Sequence, residues 1–328
     1  MILSATQKIR GAIQLLKGER LLSPDAVQNP LEELAKFFFF GLFRPRFPLN
    51  IQIETTSRCN ARCGFCPYPV VSKVLPQGMM PDETWKRLID EILEHRVWWV
   101  HFYYLNEPLL DPRLPQIIKS VTSRRRGSRP KTKINTNGTL LTEERAKALL
   151  DAGIDQITVS IPSLDPEVYS QHMGGLKLET VIRNVERLND LRRAASIRLD
   201  LRVTATVTDK TAPSIYTQKA FWKSQDIRFE QVRMANQADA AIEGSGLASR
   251  YVPSRFCAVP FWRMYVIWNG DTVLCCCDNS RTVVPGNVTQ STTSAVWNSH
   301  AYKQLHQALF YRKNLPQICR DCRVSVPI

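Results

Sequence analysis

The stretch that most constrains this chain is Ile51-Gln-Ile-Glu-Thr-Thr-Ser-Arg-Cys59-Asn-Ala-Arg-Cys63-Gly-Phe-Cys66. Its alternating apolar residues read as a short strand that runs into a loop. The loop presents three cysteines spaced C-x3-C-x2-C. Soft thiolates at such spacing suit zinc and iron–sulfur clusters alike. Structural zinc normally takes four protein ligands. Three leave one metal position open, where a substrate or cosubstrate can bind.

The nine cysteines of the 328-residue chain fall in tight groups at 59–66, 257–277 and 319–322. The N-terminus turns polar too soon for a cleavable signal peptide. Grouped thiols without a secretory signal point to a reducing cytoplasm and to metal ligation. With 44% apolar and 23% charged residues the chain reads as globular, with an ample core and no need of disulfides. The net charge of +14 raises the possibility of nucleic acid. The basic residues are dispersed, however, and the one dense run, Arg124 to Lys131, reads as a solvated loop. An anionic substrate or an acidic electron donor suits the charge equally well.

Residues 1–48 read as an N-terminal helical extension, with a turn at Ser23-Pro24-Asp25 and an apolar face ending in Phe37-Phe38-Phe39-Phe40. That face is too short to span a membrane. It is expected to pack against the domain that follows. From residue 51 strands alternate with helices: a strand at 51, a helix from Met80, strand 97–105, helix 113–124, strand 132–136, helix 142–152, strand 154–161, helix 176–194, and strands 197–206 and 228–233. This alternation predicts parallel βα units, six strands in all.

The cysteine loop, with aromatic Phe65 before Cys66, resembles the signature of the radical S-adenosylmethionine (radical SAM) superfamily. The resemblance implies a partial (β/α)6 barrel over 49–250. It also implies a [4Fe–4S] cluster on Cys59, Cys63 and Cys66 whose open iron binds SAM, and reductive cleavage of SAM to a 5′-deoxyadenosyl radical that abstracts a substrate hydrogen atom. Asn106-Glu107-Pro108 stands where relatives carry G-G-E or G-E-P, which gives Glu107, and with it Asn106, the methionyl ammonium of SAM. Asn137-Gly138 matches a family T-N-G, although the pair is also ordinary turn chemistry. Ser160, in a segment like V-S-I-D-S with Pro162 at the aspartate, is the candidate for the ribose or carboxylate of SAM. Arg202 is the candidate partner of the SAM carboxylate, since a guanidinium fork matches it.

The C-terminal pattern, 251–328, resembles the SPASM/twitch extension of the same superfamily. It has Cys257, the hairpin Gly270-Asp-Thr-Val-Leu-Cys275-Cys276-Cys277, Val296-Trp297-Asn298, and Cys319-Arg-Asp-Cys322. By that resemblance Cys257, Cys275, Cys319 and Cys322 hold one auxiliary [4Fe–4S] cluster, with Cys276 as fallback ligand. Cys276 and Cys277 are then either buried apolar filler or a hydrogen-atom donor to a substrate radical. The resemblance favours dehydrogenation or epimerisation of a sugar or aminocyclitol. Peptide modification is the second expectation, and a zinc-binding nucleic-acid module the third. A flavodoxin- or ferredoxin-type donor, a small polar substrate, neutral or anionic, no nucleic acid and no transmembrane segment complete it.

Overall fold

The computed structural model describes residues 37–232, 235–236, 251–253 and 257–325. Strands β1 (Asn50–Ile53), β2 (Trp99–His101), β3 (Lys131–Thr136), β4 (Gln156–Ser160), β5 (Asp200–Thr206) and β6 (Arg228–Val232) lie side by side in chain order. Every neighbouring pair is parallel. Parallel neighbours need crossovers. These contain α1 (Asp82–Glu94), α2 (Leu114–Thr122), α3 (Glu143–Asp151), α4 (Pro166–His172), α5 (Leu178–Ala194) and α6 (Ile215–Ser224).

The outer edge of β1 is paired as well. Strand β9 (Arg263–Val266) lies parallel to β1, and β10 (Asp271–Val273) and β11 (Gly286–Asn287) follow antiparallel. The barrel sheet therefore continues into the C-terminal part as one nine-stranded sheet. A second sheet pairs β12 (Arg323–Ser325) with β7 (Ala235–Asn236) and β8 (Tyr251–Pro253). The domain boundary expected at residue 250 lies outside the described residues.

Alternation along each strand separates two faces. Ile51, Ile53, Val100, Ile134, Val159, Val203 and Met264 join the helices in one apolar core. Asn50, Gln52, His101, Lys133, Thr158, Arg202 and Arg263 stand at the alternate positions, on the concave face. The sheet thus curls around a polar lumen. In α1 the buried Trp85, Leu88, Ile89 and Ile92 repeat at helical spacing, with Asp82 and Glu83 at its positive end. Helix α6 was not expected: it buries only Ile215, Gln218 and Trp222 and has no acid in its first turn, so its apolar period is weak. Helix α4 hides in Asp165-Pro-Glu, where the Asp165 carboxylate accepts the N–H groups of Glu167 and Val168.

The phenylalanine run packs on the C-terminal part instead of the barrel, correcting the expectation above. Residues 37–42 are helical, so Phe37 and Phe40 share one face and Phe38 and Phe39 look outward. Phe37 and Phe40 bury against Phe261, Trp262, Leu305, Leu309 and Ile318. Residues 1–36 of the expected extension lie outside the described residues.

Helix α7 (Thr293–Trp297) ties α1 and the segment before β1 to the C-terminal part. The Glu91 carboxylate accepts the Thr293 N–H at 2.7 Å. The Trp297 indole donates to the Pro45 carbonyl at 2.9 Å beneath the Arg44 guanidinium. Trp297 is fully buried. Trp297→Ala is expected to cost about 3–5 kcal/mol, read from denaturant unfolding of the apoprotein. A loss below about 1 kcal/mol, the level of an ordinary surface change, would contradict this packing.

Candidate active site at the strand ends

The cysteine loop leaves the C-terminal end of β1 and is held from three sides. The Cys59 N–H donates to the Tyr68 hydroxyl at 2.8 Å, within the helical turn Tyr68–Val71. The Gly64 N–H donates to the His172 carbonyl at the end of α4, at 3.1 Å. The Asn60 carboxamide accepts from Asn137 at 2.7 Å and donates to the Thr139 hydroxyl at 2.9 Å. Gly174, at φ +64°, lies so close to Arg62 that a Cβ would meet its carbonyl carbon at 2.4 Å. Only glycine permits that approach.

Burial pushes the Cys59 and Cys63 thiols up to about 12, and raises Cys66 as well. The ionised loop is therefore unfavourable without a cation, and bound iron supplies the missing charge. Among the described residues no three His, Cys, Asp or Glu side chains are gathered to hold a single metal ion. Three buried thiols on one short loop suit a group that takes one thiolate per iron. The loop fits such a group.

Glu107 is buried at the end of β2. Its carboxylate accepts the Leu109 N–H at 3.1 Å, the Thr136 hydroxyl at 2.7 Å and the Asn137 N–H at 2.8 Å. Desolvation outweighs those donors and raises Glu107 to about 7. The acid thus ties β2 to β3. The adjacent Asn106 accepts from the Tyr104 N–H at 2.8 Å, while its buried Nδ2 has no partner. That donor is available to an arriving ligand. The Asn137 side chain is engaged in holding Asn60 and Thr139. Ser160 ends β4 half-buried. Phe65 packs on the core near His172, with ring centroids 6.3 Å apart. Arg202 is otherwise committed: its guanidinium pairs with Asp200 and Glu230, both at 2.6 Å.

The C-terminal cysteines also converge. Cys257 lies within electrostatic reach of Cys275, Cys322 and Cys319, and burial first, then these neighbours, raise its pKa. Burial, Cys275 and Cys322 raise Cys319 to about 12. These four thiols fit a closed cluster by the same argument. Cys277 touches Cys275, Cys276 and Cys322. Cys276 contacts Cys277 and Tyr265 with Arg263 beside it, and its side chain keeps open surface although protein surrounds it.

The spacing alone did not single out Asn60, Tyr68, His172 or Gly174. Asn60 acts through side-chain contacts, and Tyr68, His172 and Gly174 through contacts with or from backbone, none of which periodicity encodes.

The Radical SAM superfamily model matches residues 53–201, and the SPASM model, an iron–sulfur cluster-binding domain, matches 257–323. The chain is a radical SAM enzyme with a C-terminal SPASM domain. Its cofactors are SAM, a [4Fe–4S] cluster and an auxiliary cluster. A probable GTP 3',8-cyclase of Methanococcus maripaludis is 32% identical over 138 residues, 42% of this chain and 44% of that protein. A PqqA peptide cyclase of Granulibacter bethesdensis is 33% identical over 130 residues, 39% of this chain and 33% of its own length. The chain thus spans less than half of these curated relatives. Among solved structures, BtrN in complex with AdoMet and 2-DOIA aligns over 84% of this chain and 93% of its own, at TM-score 0.57 and 19% identity. Streptococcus suis SuiB bound to precursor peptide SuiA aligns over 97% and 82%, at 0.63 and 17%. At these identities the structures show the fold alone.

Glu54, buried just past β1, sits 3.6 Å from Arg281. Desolvation prevails over that pairing and raises its pKa from 4.5 to about 7. Between those values the folded state holds a proton that the unfolded state has released, so stability falls as pH rises and then levels. Glu54→Gln should flatten that fall in the apoprotein, followed by urea melts across the window. An unchanged slope would contradict the burial argument.

Proposed function

We propose that the chain inverts or oxidises a carbon centre of a small polar metabolite of the sugar or aminocyclitol kind, bound in the lumen. The observation that carries this reading is Cys276, an exposed thiol beside Tyr265 and Arg263. In this reading Cys59, Cys63 and Cys66 hold the SAM-binding cluster, and Cys257, Cys275, Cys319 and Cys322 the auxiliary one. Asn106 Nδ2 and the Ser160 hydroxyl receive polar groups of SAM, while Glu107 shapes that pocket through its bonds to β3.

Bound together, the cluster and SAM supply a carbon radical that removes a hydrogen atom from the substrate. The Cys276 S–H then returns a hydrogen atom to the opposite face of the substrate carbon, which inverts it. The sulfur radical left behind regains its thiol state with one electron from a flavodoxin- or ferredoxin-type donor and one proton from solvent. Contact with Cys277 joins Cys276 to the auxiliary cysteines. The nine free thiols suit a reducing cytoplasm. Among the described residues no helix is long and apolar enough to cross a membrane. The coverage of SuiB, and the identity to a PqqA peptide cyclase, support a peptide substrate as the second reading.

The holoenzyme, given SAM, reductant and a panel of amino sugars in D2O, should yield an inverted product with one deuterium at the new centre. Cys276→Ser should still consume SAM and lose inversion. Inversion by Cys276→Ser at the wild-type rate would overturn the donor role. A product lighter by a pair of hydrogens would make the enzyme a dehydrogenase.

A further inference from the structure

Arg263 opens β9 on the lumen face and retains only 7% of its surface. Its Nε has no hydrogen-bond partner, and among the described residues no carboxylate lies within ion-pair distance. Its contacts are with the Trp262 ring at 4.8 Å, the Tyr265 ring at 6.0 Å and the Tyr265 hydroxyl at 3.5 Å. A buried guanidinium without a counter-charge is costly. By comparison, Arg202 has Asp200 and Glu230, and Glu54 has Arg281.

The titratable neighbours of Arg263 are the Tyr265 and Tyr103 hydroxyls and the Cys276 thiol, whose pKa contact with Cys277, and then Arg263, lower to about 6. Strand register sets Asn50 beside it, and both carboxamide atoms of the fully buried Asn50 lack partners. In the same lumen His101 meets the Tyr103 hydroxyl through Nδ1 at 3.2 Å, which leaves its buried Nε2 without a partner. If the hydroxyl donates, Nε2 carries the hydrogen and is a further donor. Cys276, which is exposed, lies within electrostatic reach of the guanidinium.

We propose that Arg263 is the receptor for an oxyanion of the substrate, a phosphate or carboxylate group, seated in the lumen beside Cys276. This rests on the lumen being the substrate site, and it narrows the substrate to an acidic or phosphorylated metabolite. A guanidinium fork pairs with two oxygens of such a group. Holding the anion there fixes the remainder of the molecule within reach of the Cys276 thiol.

The test is binding to the reconstituted holoenzyme, with inorganic phosphate and acetate as separate probes against chloride at equal ionic strength. Thermal shift and calorimetry read the response without turnover. One oxyanion should stabilise the wild type saturably, and the responding probe identifies the group. Arg263→Gln should weaken that response at least tenfold while keeping both cluster signatures in absorption and EPR. Asn50→Asp, which sets a carboxylate beside the arginine, should abolish it as well, covering the case in which Arg263→Gln does not fold. Cys276→Ser should retain it.

Equal responses in wild type and Arg263→Gln, or no saturable response to either probe, would overturn the proposal. A response seen only in Cys276→Ser would also overturn it, because the arginine would then be the thiolate's counter-ion. SAM cleavage by the same wild-type sample, measured alongside, shows separately whether the radical chemistry stands.

Discussion

The parallel pairing of β1 with β2 on one edge and β9 on the other is the constraint on which the remaining structure depends. Through it the barrel and the C-terminal hairpin become one sheet. The C-terminal end of β1 releases the cysteine loop, and strands β9 and β10 lead to Cys275. Both cysteine groups are thereby referred to one short strand, Asn50–Ile53. Ligands built on strands hold their geometry more closely than ligands on free loops. The loop gains the same rigidity from its contacts with Tyr68, His172 and Asn137.

A second constraint follows from the polar lumen. Burying charge is unfavourable unless it is paired or hydrogen-bonded, and this interior meets that requirement unevenly. Glu107 has three protein donors, and Arg202 has two carboxylates. Buried lumen atoms without a hydrogen-bond partner include both carboxamide atoms of Asn50, His101 Nε2, Asn135 Oδ1 and Arg263 Nε, on β1, β2, β3 and β9. A barrel enzyme places its chemistry at the C-terminal strand ends, and here the lumen extends that region toward Cys276.

Much of this was legible in the sequence because it rests on local pattern. The six strands follow from apolar alternation, and α1 from Trp85, Leu88, Ile89 and Ile92. The grouping of the C-terminal cysteines came from motif order. Less legible were the features fixed by distant contacts. The weak face of α6, with Gln218 bonded to the Pro162 carbonyl at 2.9 Å, gives no helical period to read. Phe37 and Phe40 found their partners across most of the chain length. Arg202 appeared free to meet SAM because its partners Asp200 and Glu230 become neighbours only once β5 and β6 pair. Arg263 carries no motif; its meaning appears only when the charges around it can be compared.

The measurement that tests the central claim most directly is iron and sulfide per chain after anaerobic reconstitution. It compares the wild type with the variant combining Cys59→Ala, Cys63→Ala and Cys66→Ala. Two four-iron clusters on separate cysteine groups predict about eight irons falling to about four. Four falling to none would leave the C-terminal cysteines without a cluster, and no iron in either protein would contradict the account as a whole.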